Sequence, residues 1–406
     1  MENFTAHQLH FTCEVQTPIL LNEHQGSAIR GALFHALRNQ FCFSKKTKDC
    51  GDCALWATCP ICFLVATRDP QSERGVEVPR PYTIEPPMER MNESTNLRVY
   101  ESTNAQTARK FVNSSIRRYE PGETLEFGLT MFAQALNLFP YVVLGSQALE
   151  RGGLGKRISE SANGRVGELA NGRVGELANR RVGESAKWRR GGGRRRGTFV
   201  IREIAAVNSL SGERQLVLRQ GDKMVSVPNL PVTHEQVLAR AAQLPRDGIT
   251  LMFKTPTRII ERGKLQHRPT FRPLVQRLHR RLRDLTRQFT DTPWEFDFRQ
   301  VMAQAEAVQV VEDQTRWVEL DSFSTRRSTS MPMGGLVGQV TFEGNLEPFL
   351  PWLVWGEIVH VGKDAVKGNG WMRISESANG RIGESVNQRI SESASRRMGD
   401  RGEIVG

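Results

Sequence analysis

Residues 356–374 read GEIVHVGKDAVKGNGWMRI. An apolar run over residues 349–361 leads into the stretch, and its spacing predicts a helix. Gly362, Gly368 and Gly370 follow, with Lys363 and Lys367 among them, and residues 371–374 look like a short strand. Glycines let a backbone turn tightly or approach a ligand, and lysines favour an anion there. The stretch is not a phosphate loop of the nucleotide-hydrolase kind, because Lys363 follows Gly362 directly and no Ser or Thr comes next. Taken alone, an ordinary glycine-rich turn is the plainer reading. The same layout occurs earlier. Residues 137–151, NLFPYVVLGSQALER, lead into GGLGKR at 152–157, and the strand-like GTFVIREI follows at 197–204. This repeated order of helix, basic glycine loop and strand is a weak internal duplication around which the rest can be arranged.

Reading outward, each half repeats one pattern. Residues 9–15 alternate as a strand, 26–41 have helical spacing, 123–133 alternate strongly, and the helix, loop and strand just described close the half. After Pro245, residues 249–259 predict a strand pair or a bent strand, 270–289 an amphipathic helix, and 317–323 and 336–342 two strands before the final helix, loop and strand. Both halves therefore read β-α-β-β-α-β, an α+β fold of two tandem ferredoxin-like domains. The expected domains are 1–156 with 197–240, and 246–374.

Residues 157–188 break this pattern. They are four eight-residue units, RISESANG, RVGELANG, RVGELANR and RVGESAKW, and the unit returns from Arg373 to the end. Glycine, asparagine and serine recur at a fixed short period, so 157–196 and 375–406 read as low-complexity insertions without a core. The formal net charge is +12, which points to an anionic partner, nucleic acid first. Much of it is local, since residues 157–196 hold 11 basic and 4 acidic side chains. No apolar run reaches membrane-spanning length, so a cytoplasmic protein with no membrane partner is expected.

Several clusters carry chemistry. On the first predicted helix, Gly31, His35 and Arg38 fall on the polar side, away from Ile29, Leu33 and Leu37. An imidazole beside an arginine suits a phosphodiester, and a solvated surface histidine is the bland alternative. Cys50, Cys53, Cys59 and Cys62 form two C-x-x-C pairs, with Cys42 upstream. Four thiolates suit a structural zinc, although the spacer is short and an iron–sulfur cluster or free thiols also fit. On the 270–289 helix, Arg272, Arg277, Arg280, Arg281, Arg283 and Arg287 oppose the apolar stripe with Asp284 as the single acid, so RNA backbone contact competes with plain solvation.

These pieces resemble the RAMP superfamily of CRISPR-associated proteins, and within it the precursor-RNA processing endoribonucleases. The resemblance is carried by FKTPTRI at 253–259, SFSTRRSTSMPMGGLVGQVTFEG at 322–344 and GEIVHVGK at 356–363. IRGALFHALR at 29–38, the cysteine cluster and RPYTIEPP at 80–87 support it. It implies an enzyme that needs no cofactor for catalysis and cuts CRISPR repeat RNA by 2′-hydroxyl attack, leaving a 2′,3′-cyclic phosphate. It also implies that His35 moves the protons, with His24 as second choice, and that Arg38, with Lys45 or Lys46, steadies the phosphate. RNA contacts are expected from Lys156, Arg272, Arg280, Arg283, Arg326, Arg327, His360, Lys363 and Lys367. His360 reads equally as a packed residue. The alternative function is a non-catalytic RNA-binding subunit of a CRISPR effector complex.

Overall fold

The computed structural model describes residues 1, 3–47, 50–70, 78–88, 117–158, 195–292, 294, 298–324 and 329–375. The chain divides into two compact units, His7–Pro231 and Met1–Ala6 with Val232 onward.

The first unit contains, in order, β1 (Ala6–Val15), β2 (Ile19–Leu21), α1 (Gln25–Phe41), α2 (Pro60–Ala66), β3 (Tyr82–Glu85), β4 (Arg117–Tyr119), β5 (Thr124–Phe132), α3 (Phe139–Gly152), β6 (Leu154–Ile158), β7 (Arg195–Gly197), β8 (Phe199–Val207) and β9 (Arg214–Arg219). Its main sheet has the order β3-β5-β1-β8-β9. Leaving out the added edge strand β9, the strands adjoin as second, third, first and fourth. That is the ferredoxin-like arrangement. Alternation fills the core: Leu9, Phe11, Cys13 and Val15 of β1 and Leu125, Phe127, Leu129 and Met131 of β5 are all buried. Helices α1 and α3 pack together. Gly145 makes the close approach necessary, because a Cβ there would stand 2.7 Å from Leu37 Cδ2.

The second unit contains α4 (His234–Ala242), β10 (Gly248–Thr257), β11 (Ile260–Glu261), β12 (Lys264–Leu265), α5 (Phe271–Phe289), α6 (Phe298–Glu306), β13 (Gln309–Val318), β14 (Asp321–Ser324), β15 (Thr329–Pro332), β16 (Gly335–Glu343), α7 (Leu350–Val359) and β17 (Met372–Ser375). Its main sheet, β13-β16-β10-β17, repeats the second-third-first-fourth order. The inner stripe of α5, from Leu274 to Phe289, is buried as its spacing requires. Helix α7 lies against α5 and β17, and a Cβ on Gly356 would come within 2.6 Å of Met372 Cε.

Three differences from the sequence reading have physical causes. The first unit ends at Pro231 rather than at residue 240. The following residues belong to the second unit because Val232 and Ala6 exchange backbone hydrogen bonds and Trp355 Nε1 donates to His234 Nδ1 at 3.1 Å. The strand expected at 317–323 is two: β13 begins earlier, and β14 pairs with β15 as a hairpin. The edges of the first repeat block are structured. Ile158 pairs with Arg195 and Leu154 with Gly197, so β6 and β7 form a ladder that reaches into residues read as a coreless insertion. Residues 159–194 and 376–406, which hold most of the repeat units, lie outside the described residues.

Candidate active site

Helix α1 has no acidic residue in its first turn and ends with Arg38 in its last, which suits its C-terminal dipole. Its buried face is Gly26, Ile29, Ala32, Leu33 and Leu37. His35 is therefore exposed, as the 100° spacing required, with its ring 5.3 Å from that of Phe34. Partial burial lowers the His35 pKa, and the cations Arg196, Arg38 and Arg30 lower it further. The imidazole is thus neutral at pH values where an ordinary histidine begins to charge.

The three arginines differ. Arg38 Nη2 donates to the backbone carbonyls of Thr47 and Lys45, tying α1 to the loop that follows it. Arg30 Nη2 donates to Val65 O at 3.4 Å, and its guanidinium lies over Phe34. Among the described residues no hydrogen bond or ion pair engages the guanidinium of Arg196, on β7. Sequence reading missed Arg196, because it closes a cationic run that looked featureless. The detectable signal was GTFVIREI directly after it, which fixes the start of a strand.

His24 is corrected as a catalytic candidate. It precedes α1 with 7% of its surface exposed, too enclosed to meet an RNA strand. Arg38 keeps its place beside His35 but is largely occupied by carbonyls. The cysteines come together only in part. Cys42, Cys50, Cys53, Cys59 and Cys62 line one cavity with Arg38 and Phe41. Cys62 shares hydrogen bonds with Cys50 and Cys59, and burial with these neighbours pushes its thiol upward. Among the described residues no group of three or more His, Cys, Asp or Glu is placed to hold a metal ion, so the expected zinc set does not fit as folded.

The RNA-contact candidates of the second unit are mostly engaged within it. Arg272 bonds Glu261 at 2.6 Å and Glu306 at 2.9 Å. Arg280 and Arg283 share Asp284. Arg281 turns inward and donates to Val359 O at the end of α7. In the loop after α7, Lys367 pairs with Asp364 at 2.8 Å, which leaves Lys363 exposed. His360 is corrected as an RNA contact. It is fully buried, stacks on Trp371 with centroids 6.0 Å apart, and its Nδ1 meets Asn369 O at 3.3 Å. Burial lowers its pKa to about 3. The loop glycines serve the fold itself. A Cβ on Gly362 would sit 2.5 Å from Arg258 O, and one on Gly370 would sit 1.7 Å from Val361 O. Arg326 and Arg327 lie outside the described residues, and so does the side chain of Lys156.

Two family models match the chain. Residues 4–184 match a model described as an N-terminal domain, and residues 251–372 match the CRISPR-associated endoribonuclease Cas6. No curated protein matches. Among solved structures, the chain is similar to Thermus thermophilus Cas6, with 12% identity, TM-score 0.44, and 92% of this chain and 99% of that one covered. A Cas6 product complex aligns with 14% identity, TM-score 0.41, and 92% and 100% coverage. A RAMP protein binding different RNA substrates aligns with 9% identity, TM-score 0.38, and 91% and 100% coverage. The match to the Cas6 model lies wholly within the second unit. Among the described residues no helix is long and apolar enough to cross a membrane.

Proposed function

We propose that this protein is an endoribonuclease that cuts CRISPR repeat RNA to guide length without a metal ion. The supporting observation is His35: an exposed imidazole, neutral near physiological pH, set among three guanidinium groups on the helix that opens the first unit. RNA carries its own nucleophile, so the protein has to supply a base, an acid and positive charge. Neutral His35 takes the proton from the 2′-hydroxyl. The 2′-oxygen bonds to phosphorus as the bond to the 5′-oxygen breaks, the leaving oxygen takes a proton from water, and the His35 imidazolium returns its proton to the solvent. The products are a 2′,3′-cyclic phosphate and a 5′-hydroxyl, with no net change of charge. The matched Cas6 model favours repeat RNA as the substrate.

The test is incubation with repeat RNA in excess chelator, followed by analysis of the product ends. Cyclic phosphate ends that vanish with His35→Ala, while binding persists, support the reading. A 3′-hydroxyl product, or no cleavage by the wild type, would remove it. Binding without cleavage would favour the non-catalytic subunit.

A further inference from the structure

We propose that Arg196 holds the scissile phosphate beside His35, a role that rests on the endoribonuclease reading above. The ladder of β6 and β7 fixes where this residue stands. Its glycines exclude side chains at three points: a Cβ on Gly155 would lie 2.3 Å from Leu20 O, one on Gly197 would lie 2.2 Å from Pro18 O, and one on Gly153 would lie 2.7 Å from Arg196 Cβ. Backbone therefore rests on backbone, and the ladder is seated on β2 while β6 also packs on α1. That seat brings Arg196 into the electrostatic surroundings of His35, ahead of Arg38 and Arg30 in influence. Those two are committed to the carbonyls of Lys45, Thr47 and Val65. Arg196 is half-buried and retains its donors, and a planar guanidinium suits two phosphate oxygens at once. Among the described residues, the charges that act on the His35 imidazole are those of Arg196, Arg38 and Arg30.

The experiment compares Arg196→Gln and Arg196→Lys with the wild type, using Arg202→Gln as control because Arg202 is bonded to Glu14 elsewhere on the sheet. Single-turnover cleavage by Arg196→Gln should fall about 100-fold, the scale of one lost transition-state donor. RNA affinity should change far less. Loss of the cation should raise the His35 midpoint, moving the acid limb of the pH–rate profile and the NMR titration of the imidazole to higher pH. Arg196→Lys should restore the midpoint and part of the rate, and it serves as the test if the Gln variant does not fold. Unchanged rate and unchanged midpoint, in an enzyme that His35→Ala inactivates, would overturn this inference alone. A wild type that cleaves nothing overturns the endoribonuclease reading, while a midpoint unmoved in Arg196→Gln would still show that the two side chains are not neighbours.

Discussion

The two units share one strand order and use the helix that follows the first strand of the main sheet in opposite ways. Helix α5 is crowded with arginine, yet Arg272, Arg280 and Arg283 meet carboxylates and Arg281 turns in to a carbonyl. Helix α1 carries few charges, and those that act on His35 are the cations Arg38 and Arg30. Charge density in sequence is therefore a poor guide to where a phosphate is welcome; the balance left after internal pairing decides it. The largest effect expected from this contrast is on chemistry. His35→Ala should reduce cleavage by about 10²–10⁴-fold, the usual worth of positioned proton transfer, whereas Arg283→Ala should leave the rate constant near wild type. Single-turnover kinetics at saturating enzyme would measure both. A larger loss in Arg283→Ala would reverse the comparison.

The glycine loops sharpen it. Gly155 and Gly370 both have positive φ, +82° and +72°, and both press on a backbone carbonyl. An alanine at either position should destabilise its unit by about 3 kcal/mol in urea unfolding, since strain and a clash with immobile backbone add. They should differ in function. Gly155→Ala displaces the ladder that carries Arg196 and should lower the cleavage rate of the protein that remains folded. Gly370→Ala should affect stability with no change in that rate constant. Gly152→Ala, with nothing within 4 Å of its Cβ, should be neutral or slightly stabilising. Equal kinetic losses in Gly155→Ala and Gly370→Ala would mean that the first loop has no special tie to the site.

Most of the architecture was legible because period-two and period-3.6 patterns survive in both halves. The β5 stripe from Leu125 to Met131 and the α5 stripe from Leu274 to Phe289 were both readable residue by residue. The exposed side of α1 followed from the same geometry. What escaped depends on long-range packing. Nothing local in RRRG marks Arg196 as a strand residue, because its pairing with β6 spans the repeat block. His360 looks like a loop residue until Trp371 and Asn369 enclose it. The C-x-x-C spacing suggested a four-thiolate shell, and among the described residues no group of three or more His, Cys, Asp or Glu is placed to hold a metal ion.

Acid stability separates the units by a smaller effect. His360 in the second unit is buried neutral with its pKa lowered to about 3, and His7 in the first is lowered by burial to about 4. In the unfolded chain each would take a proton near pH 6.5. Below that value the unfolded state binds more protons, so stability falls as pH drops from about 6.5 toward these depressed values. His360→Asn keeps a side chain tolerant of the φ of +62° and removes one such proton site. Its urea midpoint should be lower than wild type at pH 7 and should decline less between pH 6.5 and 4. An unchanged pH dependence would mean that another group governs acid sensitivity in the second unit.

The smallest effect belongs to the α5 arginines in RNA binding. A cation free to meet single-stranded RNA displaces a counterion and adds about 0.7 to the slope of log K against log salt. Arg280 is already 3.7 Å from Asp284, which also holds Arg283 at 2.8 Å. Removing Arg280 leaves Asp284 with Arg283, so no uncompensated charge is created and the local field hardly changes. Arg280→Ala should therefore shift both the RNA affinity and its salt slope by less than one free contact would. Lys363 is exposed and the neighbouring Asp364 is occupied by Lys367, so Lys363→Ala should show the larger slope change of the two. Filter binding across a salt series compares them directly. A slope change near 0.7 for Arg280→Ala and none for Lys363→Ala would show that RNA takes Arg280 away from its carboxylate, and internal pairing would then no longer predict which cations are open to the ligand.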